Sequence, residues 1–521
     1  MCLIMKGKVR LYNMKFKEKT EFGRRIKAIS LCLSLAAVCT MFFSCTGGIG
    51  SENPAVTDNR DSVTDTSVEE TSANYVENIV RSRTAEDSAK ALDSIADADF
   101  DGAATVIATC NYEDILCPSE GSDEISATAL ARNKYIEEKF NTSLVSKKSA
   151  SESELFEEVR KNKASGTYYA DLLSVNVTEV GTYADAGLLM NLYSLPGADF
   201  FSYDYFNTEA MSQMRAAYKL YAVSGDATKD IRQYYAVFFN RPLAEELGMG
   251  SLYNLVYSGD WTWDKFAELM QAAAAARGTD SATEIGAMTD LSVSSVADAV
   301  MASAGIHYVD TVYGSVPSLS ENQDAILDVI SLCRRTISGG SGFESCFGTD
   351  ASAVSSFRAG NILFYVGKLG DAELLASSET EWGVLPLPAY SADTVGITAS
   401  DPSHTAVLVT TIDNALASNT SLIIQALNAA SSGCMEDAAI EYIQNTAIRD
   451  NSSISMLRYI AGKTAGVDFT HVFCNLETLV SATRDAFYSG VDGASYTSYY
   501  NRYKNTAANL LKREFPLTNA A

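Results

Sequence analysis

The sequence predicts an α/β architecture with open sheets, divided between two lobes. Three observations predict it. From about residue 103 onward, short runs of β-branched and aromatic residues alternate with longer amphipathic stretches, as strands alternate with helices. That alternation continues for roughly 420 residues, more than one open sheet accommodates. Hydrophobic residues make up 47% and aromatic residues 10% of the 521-residue chain, enough to fill more than one core.

The elements follow in order. Thr105–Thr109 (TVIAT) reads as a buried strand, and Ala127–Phe140 as a helix with Ala129, Ile136 and Phe140 on one face. Asp171–Val175 (DLLSV) is a second short buried strand, followed by a turn and the stretch Ala184–Leu192. Tyr234–Phe239, Ile362–Val366 and Thr405–Thr411 are further strand-like runs. A helix starts at Thr262, whose hydroxyl can cap the first turn, with Asp264 at the positive end of the dipole. Phe266, Leu269, Met270 and Ala273 form its core face. Residues 75–98 read as a helix ahead of the first lobe. Residues 46–74 are rich in Ser, Thr, Asp and Glu and nearly free of bulky apolar side chains, so they read as a flexible tether. There is no internal repeat of the length that builds solenoids.

Charge and composition exclude several functions. With 40 Lys+Arg against 65 Asp+Glu the net charge is -25, a poor match to nucleic acid. Only three histidines (His307, His404 and His471) are present, which leaves little for a histidine-built metal centre. Asp97-Ala98-Asp99-Phe100-Asp101-Gly102 resembles the first half of a calcium loop, but its twelfth position is Ala108 where a bidentate Glu is required. A turn feeding the first strand is the better reading. G-x-S-x-G, the phosphate loop, G-x-G-x-x-G and H-E-x-x-H are all absent. A carboxylate pair for glycoside hydrolysis leaves no sequence mark, so that chemistry stays open.

The amino terminus is distinct. Residues 1–44 hold nine Lys/Arg and two Asp/Glu, and Arg24-Arg25-Ile26-Lys27 precedes an apolar run from Ala28 to Phe43. That run is short for a spanning helix and right for a signal-peptide core. It ends in Met41-Phe42-Phe43-Ser44-Cys45-Thr46-Gly47-Gly48, which resembles a bacterial lipoprotein signal with Cys45 as the lipidated residue, although Phe42 departs from the usual Leu. Lipidation would hold the chain at a membrane surface. Six further cysteines follow: Cys110, Cys117, Cys333, Cys346, Cys434 and Cys474. In an exported chain they can pair, most simply with their sequence neighbours, or remain buried thiols. None has C-x-x-C spacing, so structural roles outweigh metal binding.

Longer segments are more informative. VFFNRPLAEELG (237–248), SLYNLVYSGDWTWDKF (251–266), FRAGNILFYVG (357–367) and WGVLPLP (382–388) occur in that order. With RNKYIEEKFN (132–141) and RDNSSISMLRY (449–459), they resemble the extracellular solute-binding proteins of bacterial ABC importers, the sugar-binding type in lipoprotein form. The resemblance spans roughly residues 100–515. It implies a two-lobed periplasmic-binding-protein-like fold of type II, with lobes joined by crossover strands near Ala236–Asn240, Trp382–Pro388 and Ser431–Met435. On this expectation residues 102–236 and 389–432 form lobe 1, and residues 237–388 and 433–521 form lobe 2. Residues 1–44 are then the signal peptide, 45–74 the tether and 75–101 a pre-domain helix and turn.

A cleft in such a fold is lined by loops after strand carboxyl ends. That nominates Asn111, Tyr112 and Glu113 after the first strand, and Asn176 and Thr178 after the second. The second lobe adds Tyr308, Tyr365 and Lys368. Amides and carboxylates can bond sugar hydroxyls, and aromatic faces can pack on sugar rings, although each tyrosine also has an ordinary packing reading. Relatives often carry paired tryptophans after an L-P-G-x-D turn. Here Leu195-Pro196-Gly197-Ala198-Asp199 is followed by Phe201, Tyr203, Tyr205 and Phe206, so Tyr205 is a candidate platform residue and sugar preference is open to change. Trp261 and Trp263 read as structural.

The resemblance implies a lipid-anchored binding subunit at the extracellular face of the membrane. It would capture a small solute, by analogy a mono- or oligosaccharide, and deliver it to ABC transporter permease subunits, without catalysis, cofactor or metal. The alternatives are a surface interaction or sensor lipoprotein on the same scaffold, and a surface glycoside hydrolase.

Overall fold

A computed structural model describes residues 85–517, apart from 198, 277–285, 339–341, 413, 415 and 449. The expected signal peptide, Cys45 and the 45–74 tether lie outside the described residues, as does the first part of the 75–98 helix. Among the described residues, nine strands build two main sheets: β1 (Ala104–Thr109), β2 (Ser143–Lys148), β3 (Leu172–Asn176), β4 (Tyr235–Asn240), β5 (Ala287–Thr289), β6 (Phe343–Ser345), β7 (Phe364–Lys368), β8 (Trp382–Pro386) and β9 (Ala406–Val409). The helices used below are α1 (Ala85–Ser94), α2 (Glu124–Phe140), α3 (Thr208–Gln213), α4 (Trp263–Ala276), α5 (Val293–Ser303), α6 (Gln323–Thr336), α7 (Ala417–Ser431), α8 (Cys434–Thr446), α9 (Phe469–Val472), α10 (Glu477–Val491) and α11 (Tyr496–Glu514).

The first lobe surrounds a four-stranded sheet of order β9-β3-β1-β2. Its first three strands are parallel, and β9 closes the edge antiparallel to β3 with Val409 opposite Leu173. β3 is buried on both faces except at its last residue, which explains its continuous apolar run. Helix α2 covers this sheet. Asp123 accepts the backbone N–H of Ser126 at 2.8 Å, and Asn141 ends the helix in the left-handed region. α7 and α8 pack on α2, and α7 also packs on α1. The turn before β1 is built by Asp99, whose carboxylate accepts the Asp101 N–H at 2.9 Å.

The second lobe surrounds a five-stranded sheet of order β6-β5-β7-β4-β8. β5, β6 and β7 run parallel, whereas β4 is antiparallel to both of its neighbours, β7 and β8. The chain enters this sheet along β4 and leaves it after β8, and α10 later returns to pack on α6. All six residues of β4 are buried. Asn240 ends it by capping the next helix, accepting the Leu243 N–H at 3.1 Å with Pro242 in the first turn.

Each tryptophan pins one element to another. Trp261 Nε1 donates to the Pro386 carbonyl at 2.8 Å, Trp263 Nε1 to Ser303 Oγ at 2.9 Å, and Trp382 Nε1 to the Leu375 carbonyl at 3.2 Å. Thr262 caps α4 through the Lys265 N–H at 3.3 Å, as the sequence predicts. The six cysteines from Cys110 onward are free thiols, so the expected pairing of sequence neighbours is not formed. Cys117, Cys333 and Cys346 are buried among apolar side chains, where they act as small hydrophobes, and Cys110 is buried beside Glu152.

A thin wall forms between the lobes. Residues Ile397–Ala399 pair in parallel with Thr464–Gly466, and Tyr234 bridges to Ser400. Successive side chains of an extended chain point to opposite faces, so Tyr234 and Tyr235 face two different cavities, one on each side of the wall.

Candidate functional site

The larger of those cavities, about 550 Å³, is walled by both lobes. Thr178 enters from the loop after β3, and Tyr235 from the start of β4. Ser295 and Asp298 enter from α5, the helix that follows β5. The local sequence positions α5: Ser292 Oγ accepts the Ser295 N–H at 3.0 Å and fixes the first turn directly beyond the strand end. Asp401 and Ser403, on the chain leading into β9, complete one side, and Asp468, His471 and Arg484 complete the other. The small residues Ala299, Ala302 and Gly305 keep the floor open. Its size falls in the range that encloses small ligands, roughly 300–1,000 Å³.

The polar groups of this cavity are organised around two buried carboxylates. Asp298 is bonded to Arg484 Nη2, accepts from Tyr488 at 2.7 Å and from Tyr308 at 3.0 Å, and lies 3.4 Å from His471 Nε2. Burial by itself would raise its pKa, but His471 and Arg484 outweigh burial and hold the carboxyl below its usual range. Asp468 accepts the Tyr308 N–H at 2.9 Å and the Thr470 N–H at 2.8 Å, and lies 3.5 Å from His307 Nδ1. Burial again opposes ionisation there, and His307 more than offsets it, giving a pKa of about 2. The other ring nitrogen of His307 is 3.2 Å from Glu209. Burial pulls the imidazole pKa down, but Asp468 and Glu209 lift it to about 9. His307 belongs to the second lobe and Glu209 to α3 of the first, so this imidazolium is an ionic tie between lobes.

The cavity across the wall, about 340 Å³, is lined by Lys229, Tyr234, Glu436 and Lys463 among others. Lys229 is paired with Glu436 and donates to the Ala461 carbonyl at 2.6 Å. Desolvation brings Lys463 down to about 8. This space is not bordered by the strand ends of the second sheet, so the larger cavity is the candidate site.

Of the residues nominated from sequence, Thr178 and Tyr308 line the larger cavity. The others lie outside its wall. Asn111 is exposed, Tyr112 is buried with its hydroxyl on Asn176 Oδ1, and Glu113 pairs with Lys148 at 2.9 Å. The Asn176 backbone N–H donates to Glu152 Oε1 at 3.2 Å. Tyr205 is buried in the first lobe, its ring stacked on Tyr203 with centroids 5.1 Å apart. Tyr365 is buried and donates to Asp371 at 2.7 Å. Lys368 reaches Asp401, a cavity residue, at 3.5 Å. A rule confined to the first residues after the main-sheet strands passes over Asp298, His471 and Arg484, on α5, α9 and α10, and over His307 and Asp468, which lie two residues from the short strands Val309–Asp310 and Thr464–Gly466. One signal existed: of only three histidines in the chain, two face this cavity.

Two α/β lobes enclosing a cavity of mixed polar and apolar lining beyond their strands have the architecture of a solute-binding protein. The sequence profile of the bacterial extracellular solute-binding proteins matches residues 133–419, and the chain belongs to that family. Solved structures with the same fold include the sugar-binding protein MalE from the phytopathogen Xanthomonas citri, at TM-score 0.50 and 12% identity, covering 79% of this chain and 98% of that one. A cyclo/maltodextrin-binding protein complexed with maltotetraose matches at TM-score 0.50 and 14% identity, covering 80% of this chain and 98% of the other. No curated protein matches the chain in sequence.

Proposed function

We propose that this protein is the substrate-binding lipoprotein of an ABC importer, capturing a mono- or oligosaccharide between its lobes for delivery to membrane permeases. The observation that carries the reading is the cavity of about 550 Å³ walled by both lobes, in which donors and acceptors converge beside small apolar residues. Sugar hydroxyls need that mixture: fixed polar groups for orientation and apolar surface for ring faces. The names of structural relatives, a sugar-binding protein and one holding maltotetraose, agree with it. Ligand contacts from both lobes favour closure by population shift. Lipidation at Cys45 would keep the protein at the extracellular face of the membrane, and the protein acts by binding, without catalysis.

A thermal-shift screen of the purified protein against mono- and oligosaccharides tests this. A bound sugar at a hundred times its Kd stabilises by about 2.7 kcal/mol, which such a screen resolves. No stabilisation by any saccharide removes the carbohydrate assignment. Mass spectrometry of membrane-extracted protein tests the anchor: a diacylated Cys45 as first residue supports it, and an unmodified amino terminus refutes it.

A further inference from the structure

We infer that Asp298 makes the cavity select uncharged solutes, by neutralising Arg484 and leaving its guanidinium to act as a hydrogen-bond donor without net charge. This deepens the carbohydrate reading and rests on it. Asp298 and Arg484 face the same cavity from α5 and α10. Arg484 bonds through Nε and Nη2, toward Tyr488 at 3.1 and 2.6 Å and toward Asp298. Nη1 has no partner among the described residues. An N–H of this kind can donate to a hydroxyl while the charge behind it stays compensated.

The other charges follow the same plan. Asp468 is matched by His307, which also faces Glu209, and Asp401 by Lys368 and His404. Four carboxylates line the space (Glu209, Asp298, Asp401 and Asp468); Asp298 and Asp401 each have a cationic partner, and Glu209 and Asp468 share the His307 ring. A uronate entering the cavity finds no unpaired cation and meets carboxylates. An amino sugar meets Arg484, and the Glu209 and Asp468 carboxylates that could hold it are already bridged by the single His307 imidazolium, which it would have to displace. Either must break a pair whose removal leaves a buried charge. A neutral sugar breaks none.

The test is calorimetric binding on the full chain with matched probes: glucose, galactose, maltose and cellobiose, then glucuronate, galacturonate and digalacturonate, then glucosamine and galactosamine. The wild type is expected to bind its best neutral probe about tenfold or more tighter than the acidic or amino counterpart. Asp298→Asn keeps the shape and frees the Arg484 charge, so the neutral-to-uronate ratio should fall at least tenfold, and Asp298→Glu should restore it. A merely structural role for Asp298 would weaken all probes alike and leave the ratio unchanged, which overturns the inference. So does a wild type that binds a uronate or amino sugar as well as its neutral parent, a result that stands even where the variant fails to fold. Failure of every probe to bind instead defeats the carbohydrate reading itself.

Discussion

Replacing His307 with glutamine should remove a pH-dependent part of the stability. In the folded protein the imidazole lies between Glu209 at 3.2 Å and Asp468 at 3.5 Å, and its pKa rises from 6.5 to about 9. A rise of that size corresponds to about 3 kcal/mol at 1.36 kcal/mol per unit. Asp468 is buried and carries most of it, whereas Glu209 is 59% exposed and screened, so about 2 kcal/mol is the working figure. Because the folded value lies above the unfolded one, the contribution is complete below pH 6.5. It declines as pH rises toward 9 and is gone beyond it. Urea unfolding of wild type and His307→Gln at low salt, at pH 6, 7.5 and 9.5, reads this directly. The gap between the two proteins should be largest at pH 6 and close by pH 9.5. A gap of equal size at both ends would refute the ion-pair account and leave only packing.

Four further substitutions have expected outcomes. Asp468→Asn should flatten the acid limb of the stability profile, since a carboxyl held at about 2 stabilises above the ordinary range near 3.8 and loses that contribution as pH falls through 2; an unchanged acid limb would contradict it. Trp263→Ala should cost about 3–5 kcal/mol in urea unfolding, because the ring is fully buried and its N–H is bonded to Ser303. Gly225→Ala should cost about 1–3 kcal/mol, since a Cβ there meets the Tyr205 carbonyl at 2.6 Å and the Asn428 side chain. Gly248→Ala, with a positive φ of 66° and nothing within reach, should cost only about 1 kcal/mol; equal losses at the two glycines would show that crowding is not what Gly225 avoids.

Much of the framework is legible in the sequence because it rests on local rules. The apolar runs at TVIAT, DLLSV and YYAVFF are strands because both faces are covered, and Thr262 and Asn240 announce helix starts through their caps. Termini shift by a few residues: Ile362–Val366 becomes Phe364–Lys368, with Ile362 and Leu363 buried just ahead of the strand and the Leu363 carbonyl accepting the Asn240 N–H at 2.9 Å. The site is less legible. Thr178 and Tyr308 could be placed from strand ends or aromatic character, but Asp298 and Arg484 meet only because α5 and α10 are brought together by folding. Nothing local distinguishes Asp298 from other acidic residues on helices. The free cysteines show the same limit, because sequence proximity says nothing about whether two sulfurs face one another.

The edge strand β9 has a consequence for how the chain folds. It pairs with β3 through Val409 and Leu173, and the whole second sheet is encoded between them. A chain emerging amino terminus first therefore exposes an incomplete first sheet until the later segment arrives, while the second sheet has all five strands by Pro386. The second sheet can settle first and act as a scaffold beside which the earlier one is finished. Truncation anywhere between β8 and β9 should leave β3 as a bare apolar edge, the kind of surface that recruits other chains into aggregates.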